Sequence, residues 1–252
     1  MMSVVSMVKK DPEPVGVPRW NPELNHIMHR VAVARDGLPV YSDAFDVLVD
    51  ILKERISNER QNVIAIIGST GSGKSTVAVQ LCLKMDPFFS FAKDYIYSID
   101  DLVDKLDGKH GQSSPVSLFD EGSIILNSLN FSRKGDKDIV VLFDTMRSRG
   151  WTTVICTPEL RNLNNRVRED HVNFLITCGG RSPVKGYSSR GFFKIHKKAK
   201  NSSFQNKPYW RPICYGIAQK MPPKVDREYQ KYKKASQDRL INEIIEKQRN
   251  EK

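Results

Sequence analysis

The sequence contains few cysteines, and none are spaced as pairs. Four occur among 252 residues. Structural zinc sites and disulfide frameworks use closely spaced or matched cysteines, so this pattern favours neither. We expect reduced thiols in apolar surroundings, which is typical of a cytoplasmic protein. The cysteines are Cys82, Cys156, Cys178 and Cys214.

Long hydrophobic runs are also missing. No segment approaches the roughly 20 apolar residues that cross a bilayer as a helix. Residues 1–10 lack the leading basic segment and the apolar stretch that a secretory signal requires. No internal repeat or low-complexity tract is present. The sequence therefore predicts an intracellular protein without a membrane anchor.

Acidic residues are outnumbered, with 29 Asp and Glu against 40 Lys and Arg, and the formal net charge is +11. Residues 181–234 hold fifteen Lys or Arg and two acids, a net charge of +13, so the rest of the chain carries about −2. Aromatic residues are interleaved with this basic segment: Tyr187, Phe192, Phe193, Phe204, Tyr209, Trp210 and Tyr215. The pattern favours a polyanion-binding surface, with nucleic acid as the expected partner. The alternative is a basic face that serves only solvation.

A glycine-rich loop follows an apolar segment in the first half of the chain. Residues 63–67 are apolar and mostly β-branched, and residues 77–85 carry apolar side chains at helical spacing. The loop between them fits the phosphate-loop pattern, in which backbone N–H groups at a helix N-terminus face phosphate oxygens. The predicted nucleotide-binding residues are Gly68, Ser69, Thr70, Gly71, Ser72, Gly73, Lys74, Ser75 and Thr76.

Three residues at the end of this loop have distinct expected roles. Lys74 would reach the β- and γ-phosphates, Ser75 would ligate Mg²⁺, and Thr76 would add a hydrogen-bond donor. The expected cofactors are therefore ATP and Mg²⁺. The choice between ATP and GTP stays open, because no guanine-reading motif is evident.

A pair of acids ends the next strongly apolar segment, residues 115–119, which predicts a strand. Phosphate-loop enzymes place a metal-holding carboxylate at such a strand end, so Asp120 is the second expected Mg²⁺ ligand. Glu121 would then polarise the water that attacks the γ-phosphate. Adjacent acids after a strand are also common turn residues, and that alternative remains open.

Thr157 ends another apolar segment, residues 152–156, which also predicts a strand. A hydroxyl at that point would sense the γ-phosphate or orient the attacking water. It would equally well cap the turn before Pro158. The sequence does not decide between these roles.

Alternating strands and helices predict an α/β fold with a mainly parallel sheet flanked by helices. One of the expected strands is residues 94–99. The expected parts are an N-terminal arm with a short strand (1–42), a P-loop ATPase core (43–180), basic hairpins appended to the sheet edge (181–222) and a C-terminal amphipathic helix (223–252). Ligands would bind where the carboxyl ends of the parallel strands meet.

The combined motifs resemble the HerA–FtsK group of DNA-pumping ATPases, in particular its small archaeal, plasmid and viral members. The likeness covers roughly residues 43–178. It is carried by residues 68–76, Phe119-Asp120-Glu121, residues 146–150, Cys156-Thr157-Pro158 and residues 161–168. It implies a RecA-like sheet with an added strand between the two nucleotide motifs, hexameric rings, ATP hydrolysis between subunits, and duplex DNA in the pore. A viral member would be associated with the virion.

The resemblance also implies an arginine finger that reaches the ATP of a neighbouring subunit. Arg149 and Arg168 are the best matches, with Arg147 and Arg166 as alternates. For a single arginine in the last turn of a helix, interaction with the helix dipole is the plainer role. The chain departs from the group in its short N-terminal region, without an obvious barrel domain, and in having no recognisable module that reads DNA sequence.

Two other functions share the phosphate loop. A small-molecule or nucleotide kinase would use it with an acceptor pocket and an arginine-bearing lid. A nucleotide-dependent assembly or secretion ATPase would use the basic hairpins to contact a protein or a membrane surface. An oligomeric DNA translocase or DNA-packaging motor is the function that the motifs and the charge distribution favour.

Overall fold

The glycine-rich loop lies at one edge of an eight-stranded β-sheet. The computed structural model describes residues 19–21, 26–28, 30–108, 114–126, 141–146, 150–179, 184, 191–200 and 208–250. The strands are β1 (Arg19–Asn21), β2 (His26–Met28), β3 (Arg30–Val33), β4 (Pro39–Tyr41), β5 (Asn62–Ile67), β6 (Val116–Phe119), β7 (Thr152–Thr157), β8 (Phe174–Cys178), β9 (Phe192–Lys200) and β10 (Pro208–Ile217). The α-helices are α1 (Ala44–Ser57), α2 (Lys74–Met85), α3 (Phe91–Asp94), α4 (Ile99–Leu106), α5 (Gly122–Ile125), α6 (141–146) and α7 (Pro223–Asn250). A 3-10 turn (Leu160–Asn162) and a π-helical turn (Val167–His171) precede β8.

The large sheet has the strand order β3-β4-β10-β9-β8-β5-β7-β6, and four of its seven neighbouring pairs are parallel. Strands β8, β5, β7 and β6 form one parallel block, so their carboxyl ends meet at one edge. The predicted α/β fold, with a mainly parallel sheet, a C-terminal hairpin and a terminal helix, is confirmed. Strands β1 and β2 form a separate antiparallel pair.

Strand β5 is buried on both faces, which explains its continuous apolar sequence. Ile64 and Ile66 belong to a core shared with α1, α2 and α7. Val63 and Ala65 belong to a second core, shared with α4 and α6. Successive side chains of a strand point to opposite faces, so a central parallel strand needs apolar residues at every position. Helices on both faces hold this strand, and the loop that follows it, in place.

The prediction of a strand at residues 94–99 is wrong. Asp94 ends the short helix α3, and Tyr95 makes an isolated bridge to Leu118. Ser98 then caps α4, where its hydroxyl accepts a hydrogen bond from the Asp101 N–H at 3.1 Å. The Asp101 side chain in turn accepts from the Ser98 N–H, and this capping box starts α4 at Ile99, so the segment does not continue as a strand.

The basic hairpin lies between other strands of the sheet, so the prediction that it is added outside the last strand is also wrong. Strand β9 pairs with β8, and β10 pairs in parallel with β4 from the N-terminal region. The hairpin is therefore flanked by β8 of the parallel block and by β4 of the N-terminal region. The proposed boundaries near residues 42, 180 and 222 stay predictions.

Candidate nucleotide-binding site

The glycine-rich loop connects β5 to α2 and needs glycine at defined positions. Gly68 has a φ of +152°, and a Cβ at this position would lie 2.3 Å from the carbonyl oxygen of Cys178 at the end of β8. Gly73, directly before α2, has a φ of +92°. Only glycine adopts such backbone angles without strain and allows two backbone segments to approach this closely. The loop is thus packed against the end of the neighbouring strand.

Gly68→Ala is expected to destabilise the protein more than Gly71→Ala. Gly71 also has a positive φ, +77°, but a Cβ there meets nothing within 4 Å. Gly71→Ala should therefore cost only the backbone strain, about 1–2 kcal/mol. Gly68→Ala adds a clash with a backbone carbonyl, about 1–3 kcal/mol more. Urea denaturation of both variants measures the difference, and equal losses would contradict the close packing of the loop against β8.

Lys74 begins α2 and reaches back over the loop. Its Nζ donates hydrogen bonds to the carbonyl oxygens of Gly68 at 2.7 Å and of Ser69 at 2.8 Å. The ammonium group therefore lies within the loop, next to the N-terminus of α2 and its positive dipole end. A phosphate entering the loop would compete with these carbonyls for the ammonium group.

Strand β6 brings Asp120 and Glu121 to the same edge of the sheet as the loop. Strand β7 lies between β5 and β6, as the resemblance implies. The hydroxyl group of Tyr229 donates to Asp120 Oδ2 at 2.6 Å and also interacts with the Ser75 side chain. The two expected metal ligands, Ser75 and Asp120, therefore lie within hydrogen-bonding reach of a single hydroxyl group.

The side chain of Asp120 has one carboxylate oxygen without a hydrogen-bond partner among the described residues. It is 1% exposed, and its Oδ1 is buried without a nitrogen or oxygen donor among the described residues. The Cys156 thiol, a weak donor, lies beside the carboxylate, and burial followed by the Asp120 charge raises the pKa of this thiol. A buried carboxylate oxygen without a partner is unfavourable, and Mg²⁺ takes oxygen ligands. Asp120 and Ser75 therefore fit a Mg²⁺ ion.

Two residues of α7, Tyr229 and Lys233, also belong to the site. Burial and then the Asp120 charge raise the pKa of Tyr229, so its hydroxyl stays a hydrogen-bond donor. Burial lowers the pKa of Lys233, but the charge and hydrogen bond of Asp120 together with the Glu121 charge raise it overall, so the ammonium group stays charged. Neither residue is predicted by the sequence. Their i, i+4 spacing places them on one helix face. The neighbouring sequence does not indicate that the partner of Tyr229 is Asp120, which lies 109 residues away in the chain.

Thr157 lies beside the phosphate loop. It ends β7 in register with Ile67, the last residue of β5, and the Gly68 N–H donates to the Pro158 carbonyl at 3.2 Å. The Thr157 hydroxyl donates to the carbonyl of Glu159 at 3.1 Å, which is the turn-capping contact. A role in sensing the γ-phosphate stays a prediction.

The candidate finger arginines lie elsewhere. Arg147 and Arg149 are outside the described residues. Arg168 lies in the π-helical turn before β8, where its Nε donates to Glu169 Oε1 at 3.0 Å and its carbonyl accepts from Lys198. This turn leads into the amino end of β8, whereas the phosphate loop packs against the carboxyl end of the same strand. Arg168 therefore lies away from the phosphate loop of its own chain. The structure does not bring it to the site, and a role toward a neighbouring subunit stays a prediction.

Strands β9 and β10 carry a basic and aromatic surface. Lys197 lies directly opposite Arg211 in the antiparallel register, and Tyr209, two residues before Arg211, is 47% exposed. Like charges in a cross-strand pair destabilise a sheet unless an anion compensates them. On the other face of the hairpin the Lys198 ammonium lies 5.8 Å from the centre of the Trp210 ring. We refer to Lys197, Tyr209 and Arg211 as the hairpin surface.

Comparison with known proteins adds little to this geometry. No model of a protein family matches the chain, and no curated protein is detectably similar in sequence. Among solved structures, the chain is similar to the N-terminal domain of zonular occludens toxin from Neisseria meningitidis, with 13% sequence identity and a TM-score of 0.36. This likeness covers 66% of the present chain and 97% of that domain. A likeness this distant carries no conclusion about fold, substrate or partner.

The class of protein follows from the chain's own strand, loop and helix. A parallel block with a phosphate loop after β5 and two acids after β6 defines a phosphate-loop α/β fold, and this fold implies nucleotide binding. Within the described ranges, no helix is long and apolar enough to cross a membrane. The same ranges contain no group of three or more His, Cys, Asp or Glu that could hold a metal ion.

Proposed function

We propose that the chain is an ATP-hydrolysing motor that moves or packages double-stranded DNA and works as a homo-oligomeric ring, with a hexamer as the expected assembly. The observation that carries the nucleotide part is the meeting of Ser75 and Asp120 at the hydroxyl of Tyr229. The DNA part is supported by the hairpin surface and by the resemblance of the motifs to the HerA–FtsK group. The proposed motor works in the cytoplasm, or in a virion if the protein is viral.

In the proposed nucleotide site, Lys74 leaves the loop carbonyls and binds the β- and γ-phosphate oxygens. Ser75 and Asp120 would hold Mg²⁺, whose positive charge would neutralise the phosphates. Glu121 accepts a proton from the attacking water. All of these residues lie at the carboxyl ends of β5 and β6, which share one edge of the sheet.

An arginine from a neighbouring subunit completes the proposed site. Among the described residues Arg168 is the first candidate, since it lies at the amino end of β8, away from its own chain's loop, and Arg166 is an alternate. Arg149 is the other candidate. A positive charge beside the γ-phosphate stabilises the charge that develops in the transition state, which makes hydrolysis depend on ring assembly.

Removing the hairpin surface is expected to weaken binding to duplex DNA. Lys197→Ala together with Arg211→Ala removes two cations from a cross-strand pair that an anionic backbone would stabilise. The slope of log Kd against log salt concentration should fall by about 1 for each lost phosphate contact, and the loss should be the same for DNA of any sequence. Fluorescence anisotropy with labelled duplex DNA across a salt series measures both effects.

The matched control for this experiment is Lys53→Ala, which removes an exposed cation from α1. It should leave the salt slope unchanged. Weak, salt-independent DNA binding by the unmodified protein would contradict the motor function. Hydrolysis unaffected by DNA, with capture of a protein partner, would indicate an assembly or secretion ATPase instead. Phosphoryl transfer to a small acceptor would indicate a kinase.

A further inference from the structure

Helix α7 covers the acidic end of β6 with a single ammonium group. Lys233 Nζ lies 3.0 Å from Asp120 Oδ2 and 3.5 Å from Glu121 Oε1. It also donates to the hydroxyl of Tyr229 at 3.0 Å, and that hydroxyl donates to the same Asp120 oxygen at 2.6 Å. The carboxylate expected to hold a cation and the carboxylate expected to activate water are therefore both engaged by one side chain.

This contact is built into the packing of α7. Tyr229 is 2% exposed and its ring centre lies 6.0 Å from that of Phe91, while the Tyr232 ring is stacked on the same Phe91 at 6.2 Å. Two turns further along, Arg239 Nη1 donates to Asp101 Oδ1 at 3.2 Å. The segment of α7 from Tyr229 to Arg239 is thus anchored on α3 and α4, and it presents Lys233 to the acids.

Lys233 lies beside the carboxylates of Asp120 and Glu121, next to the position proposed for the divalent cation. Lys233 and Tyr229 contact Oδ2 of Asp120, and Oδ1 is the oxygen without a partner that would take the cation. An ammonium group and a divalent cation on the two oxygens of one carboxylate lie close together and repel each other, so Asp120 cannot serve both at full strength. Because the two events oppose each other, binding of a cation with nucleotide weakens the docking of α7 by the same factor by which docked α7 weakens that binding.

We propose that α7 is an autoinhibitory strap, in which Lys233 and Tyr229 hold Asp120 and Glu121 until Mg²⁺-nucleotide binding displaces them. The strap rests on the nucleotide site proposed above. Its consequence is a resting state in which the acids are neutralised and shielded. Anything that lifts α7 from α3 and α4, such as contact with another subunit or with DNA, would then make the site competent for Mg²⁺.

The test uses the full chain, Lys233→Met and the control Lys234→Met. Methionine keeps the length and apolar stem of the lysine and removes its charge, and Lys234 is exposed on α7. Binding of a non-hydrolysable ATP analogue is measured by isothermal titration calorimetry at a series of Mg²⁺ concentrations. In Lys233→Met the Mg²⁺ concentration needed for half-maximal affinity should fall about 5-fold or more, whereas Lys234→Met should match the unmodified protein.

A second readout does not depend on catalysis. Amide hydrogen exchange in residues 223–240 should become faster when Mg²⁺ and the analogue are added to the unmodified protein, and it should already be fast in Lys233→Met. Tyr229→Phe removes the shorter hydrogen bond to Asp120 and keeps the ring on Phe91, so it should change both readouts in the same direction.

The outcomes separate the strap from the function on which it rests. An unmodified protein that binds no nucleotide at any Mg²⁺ concentration overturns the proposed function and the strap with it. Normal binding with the same Mg²⁺ dependence in all variants overturns the strap alone. Weaker nucleotide binding in Lys233→Met also overturns the strap and would make Lys233 a phosphate ligand. Slower exchange in α7 on adding nucleotide overturns the strap as well.

Discussion

Glu121→Gln is expected to slow ATP hydrolysis by about 10²–10⁴-fold, the usual contribution of a general base, and to leave nucleotide binding intact. A glutamine at this position would have the size of the native side chain but could not accept a proton from water. Glu121 follows β6 at the edge where the loop lies, and its side chain is one-third exposed, so water has access to it. Phosphate release and analogue binding, measured on the same preparation, separate the loss of chemistry from a loss of affinity.

The matched control for this prediction is Glu159→Gln, since Glu159 is an exposed acid after the neighbouring strand β7 and pairs with the exposed Arg161. It should hydrolyse ATP at the native rate. Lys74→Ala provides the opposite pattern, because it removes the cation that faces the phosphates and should abolish binding itself. A Glu121→Gln protein that hydrolyses ATP normally would reject Glu121 as the base and leave the turn interpretation of the two acids.

The phosphate loop and the parallel block could be predicted because their signals are local. Residues 63–76 carry the apolar run, the glycines and the lysine within fourteen positions, and each constrains the backbone where it stands. Asp120 and Glu121 were identifiable for the same reason, since they end an apolar strand. Alternating strands and helices then determined which strand ends share one edge.

The pairing of β10 with β4 could not be predicted in this way. It joins residues from opposite ends of the chain, Tyr215 with Val40 and Gly216 with Tyr41, and parallel pairing leaves no turn signal between the partners. The contacts of Tyr229 and Lys233 with Asp120 are equally non-local. In the sequence these residues belong to a charged helix, and only the packing of α7 on Phe91 selects the face that meets the acids.

Buried charge is a further feature that the sequence conceals. Lys105 and Asp94 resemble ordinary solvated residues in the sequence, yet both side chains are 0% exposed and form an ion pair with a 2.7 Å contact. Lys105 Nζ also donates to the carbonyl of Val116 at 2.6 Å and lies 5.2 Å from the centre of the Trp151 ring. Asp94 accepts a second hydrogen bond from the Ser90 N–H at 2.8 Å. The pair thereby joins α3, α4 and the start of β6, the strand that carries the catalytic acids of the proposed function.

Lys105→Met is therefore expected to destabilise the protein by about 3–5 kcal/mol, because it leaves the Asp94 carboxylate buried without a counter-charge. The double variant Lys105→Met with Asp94→Leu removes both charges and should recover much of that loss, since apolar residues of similar volume replace buried ion pairs at little cost. Lys84→Met is the control: the Lys84–Asp46 pair is about half exposed and should contribute at most about 1 kcal/mol. Free energies of unfolding from urea titrations measure all three. Equal, small losses in Lys105→Met and Lys84→Met would show that water reaches the Lys105–Asp94 pair, and the rigid link between α4 and β6 would have to be abandoned.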